Sequence, residues 1–350
     1  MAEQNEPLTF SLMPVCSQFG NQLFRVISGY GIGRSVGRQH ILHVSENCTE
    51  TNERDYAKIR SIFPKMAKLI VTNNDHKPST NTSQLPYALY HGTQMCCHYE
   101  DPTWRLIREK ATHVELKTKY VQNSNYFEKY IDDLMEYFEF SEEIKMQGDK
   151  LIQKYNIAKL EKHQTVYRFD TIYANGINVV VRNANIDETG FLCVHTRRTD
   201  HFAPSGLGFT VPAIKFILNR DKLDKVFMFG DDERFMNDVL NTIKADEKYA
   251  NIKGIVNFNT TIGEDLYLSS KICSAFLIST SESTFGWFLA FLIQNQEKVY
   301  FRHNMRPESG AYSGTMRHMW KPLFQHEETN SIKTLCGNRY VFLFPLCFTE

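Results

Sequence analysis

The stretch Phe191-Leu192-Cys193-Val194-His195-Thr196-Arg197-Arg198-Thr199-Asp200 passes without a break from an apolar run into two adjacent arginines and an aspartate. A short continuous apolar run, rather than an alternating one, marks a strand buried on both faces, as in a parallel sheet covered by helices. Downstream the pattern repeats: a helix is expected over 211–220, a strand over 225–229, a helix over 232–245, a strand over 252–258, a helix over 263–273, a strand over 275–280, a helix over 283–294 and a strand over 298–302. Such alternation predicts a doubly wound α/β domain. In that architecture ligands bind beyond the carboxyl ends of the strands, which is where Arg197 and Arg198 fall.

The start of the chain repeats the theme. Residues 8–15 read as a buried strand, 16–20 as a tight loop, 21–37 as a helix with Leu23, Phe24, Ile27 and Tyr30 on one face, and 40–44 as a second strand. The middle is less regular, with a helix over 54–63, an extended stretch over 68–72, a polar loop over 73–84 and a strand over 112–121. Two helices follow over 126–155, broken near Phe140 and Ser141, where Ser141, Glu142 and Glu143 offer an N-cap and an acidic first turn. Periodicity fades between 158 and 188. The expected organisation is therefore two domains, 1–165 and 188–350, each long enough for its own core.

Composition narrows the function classes. The 350 residues carry 40 basic and 40 acidic side chains, so nothing global attracts nucleic acid or an anionic membrane, and an anionic ligand needs a local cluster. The best apolar runs, 286–293 and 341–348, are too short to span a bilayer. Met1 to Glu6 lacks the basic start and apolar middle of a secretion signal. The cysteines form no CxxC pair, which argues against zinc, and Cys193 and Cys273 read as core residues. Sequons at Asn47, Asn81 and Asn259 are no more numerous than chance gives.

Four segments could carry chemistry. Each guanidinium of Arg197 and Arg198 is a planar, permanently charged fork suited to a diphosphate; the alternative is a surface ion pair. Ser281-Glu282-Ser283-Thr284-Phe285-Gly286-Trp287 stands between an apolar strand and an apolar helix, so it either offers an anion the amides of a helix N-terminus or is simply capped by Ser283. Ser17-Gln18-Phe19-Gly20-Asn21-Gln22 opens the first helix without a dinucleotide fingerprint. Gly230-Asp231-Asp232-Glu233 has the composition of a metal motif, but the favoured reading is a helix cap by Asp231 or Asp232.

Taken in order, these segments resemble the alpha-1,2-fucosyltransferases of glycosyltransferase family eleven. Phe19-Gly20-Asn21-Gln22-Leu23-Phe24 is similar to the family's opening Gly-Asn-Gln motif, and Tyr120-Val121-Gln122-Asn123-Ser124-Asn125-Tyr126-Phe127 to its Tyr-hydrophobic-Gln-Ser stretch. His195-Thr196-Arg197-Arg198-Thr199-Asp200 matches HxRRxD. Phe229-Gly230-Asp231-Asp232 is similar to Phe-Ser-Asp-Asp, and Glu264-Asp265-Leu266 through Ser283-Thr284-Phe285-Gly286-Trp287 to the closing block. Departures are Ser17-Gln18 in place of a glycine pair or Gly-Arg, and Phe288 in place of a second tryptophan. Ser205 also stands where alpha-1,6-fucosyltransferase relatives carry a glutamate.

The resemblance implies a GT-B architecture of two facing Rossmann-like domains with mostly parallel sheets, an acceptor-side domain first and a GDP-fucose-binding domain second. It implies inverting transfer of L-fucose from GDP-fucose to a glycan hydroxyl, O-2 of a terminal galactose, without metal or further cofactor. Arg197, Arg198 and Asp200 would be catalytic. His195, Arg197, Arg198, Asn21, Asp265 (or Glu264), Ser283, Thr284 and Phe285 would bind the donor. His201 reads as solvent-facing. Relatives reside in the Golgi lumen or membrane through an anchor this chain does not display. The rival reading is a non-catalytic sugar-nucleotide or glycan-binding paralogue of the same fold.

Overall fold

The computed structural model describes residues 6–44, 46–75, 81–86, 99–118, 120–157, 170–174, 177–181, 190–199, 204–280 and 282–302. The chain divides into two compact units, the first ending at Glu142 and the second beginning at Glu143. Most of the boundary region expected between 158 and 188 lies outside the described residues, and the helix over 142–154 goes with the second unit.

In the first unit, β1 (Thr9–Leu12) enters α1 (Phe19–Val36), followed by β2 (Gln39–Ile41), α2 (Thr49–Ile62), β3 (Thr82–Pro86), α3 (Thr103–Arg108), β4 (His113–Lys117) and α4 (Ile131–Tyr137). The sheet order is β2-β1-β4-β3, parallel throughout. All four residues of β1 are buried, as a strand covered on both faces requires. Helix α1 stops where Gly37 takes φ 66° and its N–H bonds the Gly33 carbonyl, a left-handed cap that favours glycine. The loop expected over 73–84 instead leads into β3. Of the stretch expected to be extended over 68–72, Lys68 and Leu69 end a 3-10 turn, while the Val71 carbonyl accepts from the Leu42 N–H and Thr72 forms a parallel bridge to Leu42. Strand β3 escapes sequence reading because Thr82-Ser83-Gln84-Leu85-Pro86 is an edge strand with almost no apolar content.

In the second unit, α5 (Glu142–Lys154) and a hairpin of β5 (Asp170–Ala174) with β6 (Ile177–Val181) precede the main fold. The hairpin is antiparallel and sits where sequence periodicity was lost. Then come β7 (Phe191–Thr196), α6 (Leu207–Asp221), β8 (Lys225–Gly230), α7 (Glu233–Lys244), β9 (Lys253–Asn257), α8 (Ile262–Ile272), β10 (Cys273–Ile278), α9 (Thr284–Phe291) and β11 (Val299–Phe301). Their sheet is parallel in the order β11-β10-β7-β8-β9. Helix α6 starts four residues before the expected position, since Pro212 lies inside its second turn rather than at its start. Phe235, Met236, Val239, Leu240 and Ile243 of α7 recur at helical spacing and are buried in the core with Leu192, Val194, Val226 and Met228. Each such side chain contributes about 1.5–3 kcal/mol on burial.

Cys193 of β7 and Cys273 of β10 are buried in that core, but as a disulfide joining neighbouring strands rather than as thiols. A second disulfide, Cys16 to Cys48, ties the loop after β1 to the start of α2. The expected α/β class with parallel sheets is thus present in both units.

Candidate active site

The strand order of the second unit creates the site. From β7 the chain steps outward through β8 and β9, then returns to the other side of β7 as β10 and continues to β11. The topological switch point lies between β7 and β10, and in open α/β sheets this is where the crevice forms. The loops that leave these strands are the arginine segment after Thr196 and the serine-rich segment after Ile278.

The arginines are held by the acids that follow β8, the strand beside β7. Asp231 accepts hydrogen bonds from the backbone N–H groups of Arg198 (2.8 Å) and Thr199 (3.2 Å) and from the Thr199 hydroxyl (2.6 Å), and it pairs with Arg197 Nε at 3.5 Å. Burial pushes its carboxyl up, but those bonds and the Arg197 charge win and hold it below the ordinary carboxylate value. Arg198 donates from Nε to Asp232 (3.1 Å) and from Nη1 to the Ser205 carbonyl (2.7 Å), and lies over the Phe235 ring at 4.5 Å. Asp232 also caps α7 by accepting from the Phe235 N–H (2.9 Å), so the cap reading of the acidic segment holds. The arginine side chains remain 22% and 35% exposed, enough for a ligand to reach them. Asp200 and His201 lie outside the described residues.

On the other side of the switch point, Ser283 caps α9 by accepting from the Gly286 N–H (3.1 Å). Thr284 and Phe285 are the first residues of that helix, and first-turn N–H groups lack acceptors within the helix itself. Phe285 meets the buried His195 ring edge-on at 6.0 Å. Gly286 permits this approach, since a Cβ there would come within 2.5 Å of His195 Nδ1. His195, Arg197, Arg198, Ser283, Thr284 and Phe285 thus follow one another at the carboxyl ends of the neighbouring strands β7 and β10, with His195 buried, and the two part-exposed forks and the helix N-terminus are both suited to an anion such as a diphosphate.

Asp265 lies in the first turn of α8, beside Asn257 at the end of β9, and β9 is two strands from β7 in the sheet. It accepts from Asn257 Nδ2 (2.6 Å) and the Thr260 hydroxyl (2.5 Å), and burial raises its carboxyl to about 7 against the lowering effect of those bonds. Glu264 is used elsewhere: it closes a capping box with Thr261 at the start of α8. Of the two carboxylates that sequence reading could not separate, Asp265 is bonded to the end of β9 and the loop after it, whereas Glu264 is spent on the cap.

In the first unit, Asn21 lies in the first turn of α1 and accepts from Gln122 Nε2 (2.8 Å), so two of the sequence motifs touch. Its neighbour Gln22, which sequence reading passed over, is fully buried. It donates to the Val15 carbonyl, Ser17 Oγ and Asn52 Oδ1, and accepts from the Tyr56 hydroxyl. Also missed were Ser205, Ser279 and Thr280, a buried hydroxyl cluster between the two loops of the crevice. The available signal for the latter pair was two hydroxyl residues directly after the apolar run Ala275 to Ile278.

No family model matches the chain. A Caenorhabditis elegans galactoside 2-alpha-L-fucosyltransferase is 24% identical over 310 residues, covering 86% of this chain and 74% of that protein. A second C. elegans protein of the same name is 23% identical over 324 residues, covering 83% and 69%. Among solved structures, POFUT1 in complex with GDP aligns with a TM-score of 0.46 at 12% identity, over 85% of this chain and 98% of that one. NodZ alpha-1,6-fucosyltransferase soaked with GDP-fucose aligns at 0.44 and 12%, over 82% and 93%. The chain is thus similar, at 23–24% identity over most of its length, to proteins named galactoside 2-alpha-L-fucosyltransferases.

Proposed function

We propose that the chain transfers L-fucose from GDP-fucose to a glycan hydroxyl, O-2 of a terminal galactose, with inversion at the fucose carbon. The observation that carries this reading is the pair Arg197 and Arg198, fixed by Asp231 and Asp232 at the carboxyl end of β7, the strand beside the one that leads into α9. Breaking the sugar–phosphate bond leaves a second negative charge on the β-phosphate of the departing diphosphate. Guanidinium groups held in place beforehand stabilise that charge without reorganising, the task a divalent ion performs in metal-dependent transferases. Transfer should accordingly survive an excess of EDTA. Loss of activity restored by manganese or magnesium would reopen the acidic segment as a metal site.

Asp200 is proposed to accept the acceptor's proton or to orient the arginines. The disulfides Cys16–Cys48 and Cys193–Cys273 support an oxidising compartment, in keeping with a Golgi lumenal role. The deciding experiment measures thermal stabilisation of the purified protein by a panel of nucleotide sugars, followed by transfer to galactose-terminated acceptors. Stabilisation by GDP-fucose with product formed supports the enzyme. Stabilisation without turnover favours the non-catalytic paralogue, and no stabilisation by GDP-fucose rejects the enzyme and the sugar-nucleotide-binding reading alike.

A further inference from the structure

Ser205 is fully buried between the two loops of the crevice and uses every polar group it has. Its N–H donates to the Arg197 carbonyl (2.9 Å), its carbonyl accepts from Arg198 Nη1 (2.7 Å), and its hydroxyl accepts from the Arg197 N–H (3.1 Å). The same hydroxyl lies 2.5 Å from Ser279 Oγ and 2.8 Å from Thr280 Oγ1. Proton counting fixes a direction. The Ser279 hydroxyl donates to the His195 carbonyl at 3.0 Å, so its one proton is spent and it can only accept from Ser205. A chain of donation therefore runs from Ser205 through Ser279 to the backbone of β7, joining the arginine loop to the loop after β10 across the switch point.

We propose that Ser205 is a positioning residue for the transfer reaction: its hydroxyl welds the two loops and thereby sets the pose of Arg197 and Arg198. Thr280 adds a longer link of its own, its hydroxyl donating to the Arg197 carbonyl at 3.5 Å, while the Ser205 hydroxyl makes the shorter contacts to both loops. Ser205→Ala would remove the hydroxyl that both the Arg197 N–H and the Ser279 oxygen meet, while changing little volume. Ser205→Cys keeps the volume and offers only a weak donor. The kinetic part rests on the fucosyl-transfer reading, whereas the weld itself does not.

The test pairs kinetics with amide hydrogen exchange on the purified full chain. In both variants kcat should fall about tenfold to a hundredfold with the acceptor KM unchanged, as a small displacement of a preorganised group produces. Exchange should quicken together in the segments 196–199 and 279–283 and stay unchanged in the core strands β8 and β10. The double variant Ser205→Ala with Arg197→Ala should lose less than the sum of the two single losses, because Ser205 acts in part through Arg197. Unchanged kcat, additive losses in the double variant, or exchange quickened on one side only would overturn the proposal. Absence of transfer by the unaltered protein would overturn the functional reading, and the exchange measurement would still decide the weld.

Discussion

After β1 the chain turns through residues 13–18 into α1; after β7 it turns through 197–206 into α6. Both loops leave an inner strand of a parallel sheet at its carboxyl end, the same place in the same kind of architecture. The first loop is closed from inside. Gln22 reaches back to the Val15 carbonyl and Ser17, the buried Arg25 donates to the Met13 carbonyl at 2.9 Å, and Cys16 is bonded to Cys48. The second loop is held from beside by Asp231 and Asp232, and its arginines keep part of their surface in solvent. A buried polar group must have its partners within the protein, so it serves the loop's shape; a half-exposed charge can exchange solvent for a ligand.

The sharpest way to break this contrast is to remove one group from each loop. Arg197→Ala should lower turnover about a hundredfold to a thousandfold with the melting temperature little changed, and Arg197→Lys should restore only part because a point charge cannot replace the fork. Near-normal transfer by purified Arg197→Ala would remove this residue from the mechanism. Gln22→Leu should do the converse. Leaving the Tyr56 hydroxyl and Asn52 without their partner should cost about 2 kcal/mol of stability in a denaturant titration. If the folded fraction of Gln22→Leu retains donor affinity, the first loop's role is structural as stated; a selective loss of donor binding without loss of stability would erase the contrast.

Two titrations sharpen it further. His40, stacked on Phe10 at 5.0 Å and fully enclosed, is pushed down to about 3 by burial and by the nearby Arg25 charge. It stays neutral in the fold while the unfolded chain takes up a proton below the ordinary histidine value. Stability should therefore be unaffected above about pH 6.5 and decline as pH falls toward 3, by up to about 1.4 kcal/mol per pH unit. His40→Phe should flatten that part of the stability profile relative to the unaltered chain; an unchanged slope would show that His40 is not its source.

Asp265 has the opposite sense. Its carboxyl, raised to about 7, favours the protonated form in the fold, so stability is lost as pH rises from the ordinary carboxylate range through about 7. Being half-buried, it should give a smaller effect than His40. Comparing the melting temperatures of Asp265→Asn and the unaltered chain from pH 5 to 8 checks it: the difference should grow with pH in favour of the asparagine. A constant difference would mean that the group ionises normally.

The contrast also shows what kind of residue a sequence reveals. Arg197 and Arg198 were legible because two charges directly after an apolar run have no place in a core and so announce a sheet edge. Asp232 was legible as a cap because an acid before an amphipathic helix has a local partner three residues on. Gln22, Ser205 and Ser279 were not legible as anchors, because their partners are backbone groups or residues brought near only by the strand order. The hairpin of β5 and β6 was missed as well, where no period stood out from its surroundings.

By itself, the sequence determined the α/β class, the position of nearly every strand and helix of the second unit, and the candidacy of the arginine and serine segments. These depend on hydrophobic period and on residues adjacent along the chain, information that is local. Only the tertiary structure decided that β10 lies beside β7, so that segments some eighty residues apart form one crevice. It likewise decided that Cys193 and Cys273 are joined, that Asp265 is bonded to the end of β9 while Glu264 closes a cap, and that Ser205 binds both loops. Strand order, pairing partner and burial are properties of distant parts of the chain brought together, and no local pattern of residues encodes which distant partner will arrive.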